Sequence, residues 1–257
     1  MFKRFYVSIS QPKLIGSFLK DKRLYVFIYI LFLSLIVTIP VFIEHSVQKN
    51  FSPAVVKNIE NTLYANEVEG TIINYQLVKE KPETFPINET PFYISFNEAN
   101  KQLNLAFNFT NDALEFYIGP TLYKRYTYTE LGIESLNFNM RSNVDRDILK
   151  GLLETVFLDI KPLYVTAMTF SSLLSDIYTY VILVLISVWL YSYNIPKLKM
   201  RYRFIMASYG LTIFAVSSLL ANLYHLGFIR LIGVLLGLTF TRRAYMYLIQ
   251  RKEEVSV

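Results

Sequence analysis

The sequence predicts an α-helical membrane protein with about four transmembrane helices and one inserted extracytoplasmic α+β domain, in which helices flank an antiparallel sheet. Three observations support this fold class. The chain of 257 residues is 53% hydrophobic and only 18% charged, whereas soluble domains carry about 25% charged residues. Several apolar segments are long enough to cross a bilayer. Between the first two of them, residues 44–162 alternate apolar and polar side chains, which is typical of half-buried strands.

The charges are divided unevenly along the chain. Residues 44–162 hold 16 acidic and 11 basic residues, whereas the rest of the chain holds 4 acidic and 15 basic residues. Because Lys and Arg accumulate on the cytoplasmic side of transmembrane helices, these basic flanks predict a multi-pass plasma-membrane protein with both termini in the cytoplasm. The basic residues flank apolar segments instead of forming a patch on a soluble surface, so we expect no nucleic-acid partner.

Residues 24–43 form the first predicted transmembrane helix, because they are a run of 20 residues without a charge. At about 1.5 Å per residue the run covers roughly 30 Å, the thickness of the hydrocarbon core. A cleaved signal peptide is the alternative. The run is longer than the apolar part of a signal peptide, and residues 40–45 offer no small-residue cleavage site.

Residues 1–23 are predicted to be a cytoplasmic leader. Apolar and aromatic side chains are interleaved with Lys and Arg in this segment. The pattern is typical of a basic amphipathic segment that lies on the inner leaflet of the membrane. An ordinary flexible leader is the alternative, and the sequence leaves both open.

Residues 44–162, the predicted extracytoplasmic domain, are numerous enough to form a small core of their own. A helical segment comes first, and alternating segments then predict five or six strands. The short polar connectors at 98–100, 111–112 and 119–120 favour an antiparallel meander. Residues 79–91 contain three prolines and are predicted to be a surface loop. A second helix is expected before the chain enters the membrane again.

The second predicted span is residues 163–195, of which residues 163–175 lie at the outer interface or extend the helix outward. A purely basic loop at residues 196–203 follows and is expected in the cytoplasm. The remaining predicted segments are the third span, the fourth span and the cytoplasmic tail, at residues 204–223, 228–241 and 242–257.

Two charged residues lie in the outer parts of predicted spans, Asp176 in the second and Arg230 in the fourth. A charge deep in a bilayer costs about 2.5–3.5 kcal/mol, so such residues usually have a partner or reach water. We therefore predict a polar cluster, functional or structural, in which Asp176 and Arg230 pair near the outer interface beside Asn222 and His225. Independent contact of each charge with the headgroup region is the alternative.

A second candidate site is an aromatic and basic strand of the extracytoplasmic domain. Its members are Tyr123, Lys124, Arg125, Tyr126 and Tyr128. Such a surface can bind glycans or anionic polymers through ring stacking and charge. Packing of the tyrosines onto neighbouring strands is the alternative.

The composition excludes several kinds of chemistry. The chain has no cysteine and only two histidines, which excludes disulfides, thiolate metal sites and cysteine nucleophiles. The sequence motifs of serine hydrolases, zinc proteases, P-loop NTPases and dinucleotide-binding proteins do not occur in it. We therefore predict no catalytic residue, no cofactor and no metal.

The layout of leader, first span, large domain and three further spans resembles a family of bacterial membrane proteins of unknown function from low-GC Gram-positive bacteria. The similarity is carried by the strand at residues 91–97, by residues 114–131 with their final sequence YTYTEL, and by the basic loop after Pro196. Some members of that family are labelled maltodextrin utilization proteins. The resemblance implies a plasma-membrane location and supplies no catalytic residues.

These features predict a non-enzymatic accessory, sensory or scaffold protein. Its extracytoplasmic domain would bind a partner or ligand, and its helices would dock a membrane complex such as a transporter. A small transporter or channel subunit with a polar path near Asp176 and Arg230 is the first alternative, and a membrane-bound enzyme acting on lipid or cell-wall substrates is the second. Expected partners are the lipid bilayer and another membrane protein or further copies of the chain. Gly233 and Gly237 have a spacing that permits close helix packing, within the chain or between copies.

Overall fold

The computed structural model describes residues 1–79, 81–88, 90–97, 105–194 and 198–255. The predicted connector at 98–100 and the first part of the basic loop, residues 196–197, lie outside these ranges. The chain forms two compact units. We call Met1–Val47 together with Pro162–Val257 the helical unit, and Gln48–Lys161 the α+β unit. The predicted domain, residues 44–162, encloses the α+β unit.

Seven α-helices and one 3₁₀-helix are present in the described part of the chain. The α-helices are α1 (Phe2–Ser10), α2 (Arg23–Val47), α3 (Pro53–Ala65), α4 (Asn143–Asn194), α5 (Met200–Gly210), α6 (Thr212–Tyr224) and α7 (Phe228–Val255). The 3₁₀-helix Pro12–Phe18 joins α1 to the chain before α2. Three stretches of these helices are long and apolar enough to cross a membrane, namely Arg23–Val47, Asn143–Tyr191 and Met200–Tyr224.

The first and third predicted spans lie within these stretches, and the second predicted span, residues 163–195, coincides with one of them up to Tyr191. The predicted fourth span at residues 228–241 is the first part of α7 and is not among them. Arg230 lies near the beginning of α7, and Arg242 and Arg243 follow the predicted span directly. The apolar part of α7 is therefore shorter than that of the other helices.

Helix α4 is continuous over 52 residues and contains Pro162. At about 1.5 Å per residue, a helix of this length extends about 78 Å. A proline inside a helix removes one backbone hydrogen bond and usually produces a kink. Residues 163–175, for which the sequence left two possibilities, are helical throughout and extend the helix.

The third predicted span is interrupted, which was not predicted. Helix α5 ends at Gly210 and α6 begins at Thr212, with Leu211 between them in a turn conformation. The chain direction is kept, because the Leu211 amide donates to the carbonyl of Ala207. The interruption leaves backbone groups near residue 210 available for side-chain hydrogen bonds.

The leader forms part of the helical unit and packs against its helices. Helix α1 packs against α5 and α6, and the 3₁₀-helix packs against α5 and α7. Ile15 of the 3₁₀-helix and Ser8 of α1 are fully buried. Phe2 and Tyr6 of α1 remain exposed. One face of α1 is therefore packed within the helical unit, and the other face exposes apolar side chains.

The α+β unit contains eight strands among its described residues, arranged in two sheets. The strands are β1 (Thr71–Ile73), β2 (Gln76–Val78), β3 (Glu83–Pro86), β4 (Phe92–Phe96), β5 (Leu105–Phe109), β6 (Ala113–Ile118), β7 (Thr121–Thr127) and β8 (Ser135–Asn137). One sheet has the order β2-β1-β8 and the other β3-β4-β5-β6-β7. The prediction of five or six strands in one sheet was therefore too low.

The prediction of a purely antiparallel meander was also wrong. Strands β4 and β5 are parallel, with Phe92 opposite Leu105 and Phe96 opposite Phe109. A connector of two or three residues would favour a hairpin. The segment from residue 97 to residue 104 has eight residues, and a chain of that length can span about 26 Å. That distance exceeds the length of about 17 Å of a five-residue strand, so the chain is long enough to return to the same end of the sheet.

The other two connectors are hairpins, as predicted. Strands β5 and β6 pair antiparallel around residues 111–112, and β6 and β7 pair antiparallel around Gly119 and Pro120. Gly119 has φ +58°, a conformation that favours glycine in a two-residue hairpin loop. The predicted loop at residues 79–91 contains the edge strand β3, which ends at Pro86. Proline is tolerated there because an edge strand has one unpaired side.

Aromatic side chains form the core of the α+β unit. Phe96 and Phe109 stack with ring centroids 5.5 Å apart, and Phe138, which follows β8, meets them at 4.9 and 4.7 Å. Phe51, which precedes α3, packs edge-on against Phe157 of α4 at 5.0 Å. The rings of Phe96, Phe109, Phe138 and Phe157 are almost fully buried, so burial of these rings holds the two sheets and the helices together.

Candidate functional site

The side chain of Asp21 joins the leader to helix α5. Arg4 donates two hydrogen bonds to its carboxylate, Nε to Oδ2 at 2.7 Å and Nη2 to Oδ1 at 2.8 Å. The hydroxyl of Tyr209, 188 residues further along the chain, donates to Oδ2 at 2.6 Å. The guanidinium of Arg4 also lies over the ring of Tyr25, at 4.3 Å from the centroid. We call Arg4, Asp21, Tyr25 and Tyr209 the Asp21 cluster.

The geometry of the Asp21 cluster stabilises the ionised forms of both charged side chains. The hydrogen bonds from Arg4 lower the pKa of the Asp21 carboxyl, and the Tyr209 hydrogen bond acts in the same direction against the effect of burial. The contact also raises the pKa of Arg4. Only 14% of the Asp21 side chain and 23% of the Arg4 side chain are exposed. A shielded two-point contact of this kind is stronger than an exposed ion pair.

We expect Asp21→Asn to release the leader from α5. The amide keeps the size of the side chain and removes the charged acceptor, so the free energy of unfolding should fall by about 1.5–3 kcal/mol. Because the folded-state pKa is lowered, the carboxylate stabilises the fold fully above the ordinary aspartate pKa of about 3.9. This stabilisation is lost as the pH falls through the folded-state pKa. The measurement is the rate of maleimide labelling of Ser8→Cys, because position 8 is fully buried.

Tyr209→Phe is the matched control, because it removes one hydrogen bond and leaves the contact between Arg4 and Asp21 in place. We expect it to lower the free energy of unfolding by about 1 kcal/mol, with a smaller rise in labelling at position 8. The stability difference between the parent chain and Asp21→Asn should also shrink as the pH falls below about 4. Equal labelling rates in all backgrounds would contradict the role of this cluster.

A second set of polar contacts surrounds the interruption between α5 and α6. The hydroxyls of Tyr29 and Thr212 lie 2.8 Å apart, and Thr212 Oγ1 donates to the carbonyl of Tyr209 at 2.7 Å. The hydroxyl of Tyr180 on α4 donates to the carbonyl of Ser208 at 2.7 Å. The side chains thus satisfy backbone carbonyls next to the interruption, as buried irregular backbone requires.

These contacts were not predicted from the sequence. A tyrosine in an apolar segment usually indicates an aromatic residue at the membrane interface, so the sequence carries no signal that Tyr29, Tyr180 and Tyr209 form buried hydrogen bonds. A usable signal was present in the third span, where Gly210 and Thr212 stand within one helical turn. Glycine and a hydroxyl residue together are typical of an irregular helix.

The residues of the predicted polar cluster form two separate sets of contacts, one around Asp176 and one around Asn222 and Arg230. Asp176 Oδ2 accepts a hydrogen bond from Thr38 Oγ1 of α2 at 3.3 Å. Arg230 donates to Asn222 Oδ1, and Asn222 Nδ2 donates to the carbonyl of Val37 at 2.9 Å. In the part of the chain that the structure describes, no ion pair joins Asp176 to Arg230. The guanidinium is still close enough to attract the carboxylate, and α2 contacts both parts.

His225, the fourth predicted member, ends helix α6. It adopts the left-handed conformation with φ 54° and ψ 32°, and its amide donates to the carbonyl of Ala221. Its side chain is exposed. The position is that of a helix C-cap, which glycine or asparagine usually occupies.

The predicted aromatic and basic strand is β7 and the turn after it, and only part of it faces outward. Tyr126 and Tyr128 are buried, and the Tyr128 hydroxyl donates to the carbonyl of Thr110 at 2.7 Å. Lys124 pairs with Asp159 at 2.5 Å and Arg125 pairs with Asp112 at 2.6 Å. A stacking surface on this strand would therefore depend on the exposed ring of Tyr123 alone. Burial raises the pKa of Tyr126 and Tyr128.

The glycines of α7 pack against the same chain. A Cβ at Gly233 would lie 2.5 Å from Ser217 Cβ of α6, and a Cβ at Gly237 would lie 2.7 Å from Leu211 Cδ2. Such distances are too short for any larger side chain without a shift of the helices. Of the two uses that the sequence left open, the structure shows close packing within the chain.

The fold and these sites define a class of protein: a helical unit with three helices of membrane-spanning length, polar contacts between its helices, and an inserted α+β unit. A family described as "Protein of unknown function (DUF1189)" matches residues 2–246, and the chain belongs to this family. Membership in a family of unknown function, which the resemblance implied, is confirmed. Neither the curated proteins nor the solved structures contain a match to this chain.

Proposed function

We propose that the chain is a four-span plasma-membrane protein of low-GC Gram-positive bacteria that acts as a non-enzymatic accessory or sensory component of a membrane complex. Both termini are placed in the cytoplasm and the α+β unit outside. The charge distribution supports this topology, because basic residues flank the apolar helices whereas residues 44–162 are acidic overall. The apolar first half of α7 is the fourth span.

The observation that carries the proposal is the continuity of α4. This helix belongs to the α+β unit up to Lys161 and to the helical unit from Pro162 onward, with no loop between the two parts. A flexible linker would allow the α+β unit to bind a partner without an effect on the membrane helices. We propose that the helix shared by the two units passes a change in one unit to the other, which insertions after Lys161 would test. Binding outside would therefore change the helices that dock the complex.

The topology can be tested with single cysteines, because the parent chain has none. Lys57 of α3 and Met200 at the start of α5 are both exposed. A membrane-impermeant maleimide added to intact cells should label Lys57→Cys and leave Met200→Cys unlabelled until the membrane is opened. Labelling of both positions, or of Met200→Cys alone, in intact cells would contradict the topology.

The accessory role can be tested by affinity purification of the tagged full chain from native membranes, followed by mass spectrometry. We expect one stoichiometric membrane partner, and the maltodextrin label of the resembling family makes a carbohydrate transporter the first to look for. Phe138→Ala, which removes a core ring of the α+β unit, should abolish recovery if that unit binds the partner. Recovery of the parent chain alone as a defined oligomer would contradict the accessory role.

The role of α4 can be tested by insertions after Lys161. Two inserted alanines rotate the following helix by about 200°, whereas seven leave it within about 20° of its original phase. If α4 transmits the signal, two alanines should abolish recovery of the partner and seven should restore most of it. Equal recovery with both insertions would show that α4 serves only as a tether.

A small transporter or channel subunit is the second candidate, and one observation favours it. Asp176 lies where α2 and α4 meet, close to the interrupted pair α5 and α6. Discontinuous helices with a nearby carboxylate form the ion sites of several transporter classes. Ion flux into proteoliposomes that Asp176→Asn abolishes would support this candidate, and absence of flux would leave the accessory role as the better proposal.

A further inference from the structure

Helices α2, α4 and α6 line a small, partly open cavity within the helical unit. Its volume is about 10 Å³, close to the minimum that one water-sized particle requires. The lining side chains are Ser34, Val37, Asp176, Tyr180, Phe214, Ala215 and Ser218. Three of them, Asp176, Ser34 and Ser218, offer oxygen atoms from three different helices.

Five hydroxyls of the helical unit are buried without a hydrogen-bond partner among the described residues, and two of them, Ser34 and Ser218, line this cavity. Ser34 and Ser218 are 2% and 3% exposed, and their Oγ atoms have no hydrogen-bond partner among the described residues. Other hydroxyls donate to a carbonyl one turn earlier, as Thr38 does to Ser34, Ser208 to Phe204 and Thr241 to Gly237. Any serine in a helix can form this hydrogen bond to the carbonyl one turn earlier. A buried hydroxyl that does not form it needs another hydrogen-bond partner or ligand.

The carboxylate of Asp176 limits which water molecule or ion could occupy the cavity. The Asp176 carboxylate accepts a long hydrogen bond from Thr38 at 3.3 Å and forms no ion pair in the described part of the chain. Arg230 is engaged with Asn222. A carboxylate and two hydroxyls are hard oxygen ligands, which favour hard cations. Among the described residues, no group of three or more His, Cys, Asp or Glu side chains could hold a metal ion. A divalent ion beside the single carboxylate of Asp176 would therefore keep one positive charge that is not neutralised.

We propose that this cavity binds one sodium ion, with the Asp176 carboxylate, Ser34 Oγ and Ser218 Oγ among its ligands. One positive charge neutralises the carboxylate within the apolar helices, which a water molecule does not do. The cavity volume accommodates a single small ion. The ion would bridge α2, α4 and α6 and stabilise their packing. The site lies entirely within the helical unit and does not depend on a partner of the α+β unit.

The test is thermal unfolding of the purified full chain in detergent. The salts are NaCl, KCl and choline chloride at equal ionic strength. Sodium should raise the Tm in a saturable way, by about 3–6 °C at ten times its Kd. Potassium should have a smaller effect, and choline should have none. Binding of radioactive ²²Na⁺ at one ion per chain is a second measurement that does not depend on unfolding.

Three variants and one control locate the site. Asp176→Asn should abolish the sodium response, and Ser34→Ala and Ser218→Ala should each raise the apparent Kd about tenfold. Ser208→Ala is the matched control, because Ser208 is equally buried but its hydroxyl already donates to the carbonyl of Phe204. This control should keep the full sodium response.

Two outcomes would overturn the proposal. Equal Tm values of the parent chain in all three salts, with no ²²Na⁺ bound, would mean that the cavity holds no sodium ion. If Asp176→Asn is then more stable than the parent chain in every salt, the site holds a protonated carboxyl group with at most one water molecule. A sodium response that Ser208→Ala removes and Asp176→Asn keeps would place the ion elsewhere in the helical unit.

Discussion

Phe138→Ala should strongly destabilise the α+β unit. The ring is fully buried and lies 4.9 Å from the ring of Phe96 and 4.7 Å from that of Phe109, so it joins the segment after β8 to the other sheet. Truncation of a buried phenylalanine lowers the free energy of unfolding by about 3–5 kcal/mol. Small domains are stable by only about 5–15 kcal/mol in total. The measurements are denaturant unfolding followed by near-UV circular dichroism and limited trypsin digestion of the full chain.

Tyr123→Ala is the control for this prediction, because it truncates an aromatic ring of the same unit that is 45% exposed. Its ring contacts Phe116 edge-on at 6.3 Å and has no other role in the core. We expect a loss below about 1 kcal/mol. If both variants lose the same stability, the buried rings of Phe96, Phe109 and Phe138 are not the core of the α+β unit.

Gly210→Val should separate α5 from α7 and destabilise the helical unit. A Cβ at this position would lie 2.2 Å from Thr241 Oγ1 and 2.9 Å from Thr241 Cα. The second atom belongs to the backbone, so a change of side-chain rotamer cannot relieve the contact. Overpacking costs about 1–3 kcal/mol and occasionally more, and we expect at least about 3 kcal/mol here. The measurements are the Tm in detergent and the homogeneity of the purified protein in size-exclusion chromatography.

Gly151→Ala is the matched control, because a Cβ at Gly151 meets nothing within 4 Å. Gly151 lies inside α4, where alanine favours the helix over glycine by about 0.5–1 kcal/mol. This variant should therefore raise the Tm. Combining Gly210→Ala with Thr241→Ala should recover only part of the loss of Gly210→Ala, because the contact with Thr241 Cα remains. A Gly210→Val variant as stable as Gly151→Ala would contradict the close packing of these helices.

Features that depend on neighbouring residues in the sequence were predicted well. The uncharged run at residues 24–43 is helical, and the hairpins around residues 111–112 and Gly119 are formed. The parallel pairing of β4 and β5 was missed, because the direction in which two strands pair depends on contacts between residues that are distant in the sequence. The contacts of the leader within the helical unit were not predicted for a similar reason. Its partners, such as Tyr209, are nearly 190 residues away, and amphipathicity alone does not distinguish a lipid surface from a protein surface.

Of the residues in the candidate site, only the charged ones could be predicted from the sequence. Asp176 and Arg230 were identified because charges are rare in apolar helices, although the structure gives each a different neutral partner. Ser34 and Ser218 carry no such signal, since serines are common in membrane helices and usually bond to their own backbone. Their importance follows from the absence of that bond, which is a property of packing and not of composition.

The contacts of the leader determine an order of assembly during synthesis. Tyr209 is synthesised 188 residues after Asp21. At about 5–20 residues per second, the nascent leader waits roughly ten to forty seconds for this contact. During this time Asp21 can pair with Arg4 but not with Tyr209. The leader thus reaches its final position only after most of the chain that follows it has been made.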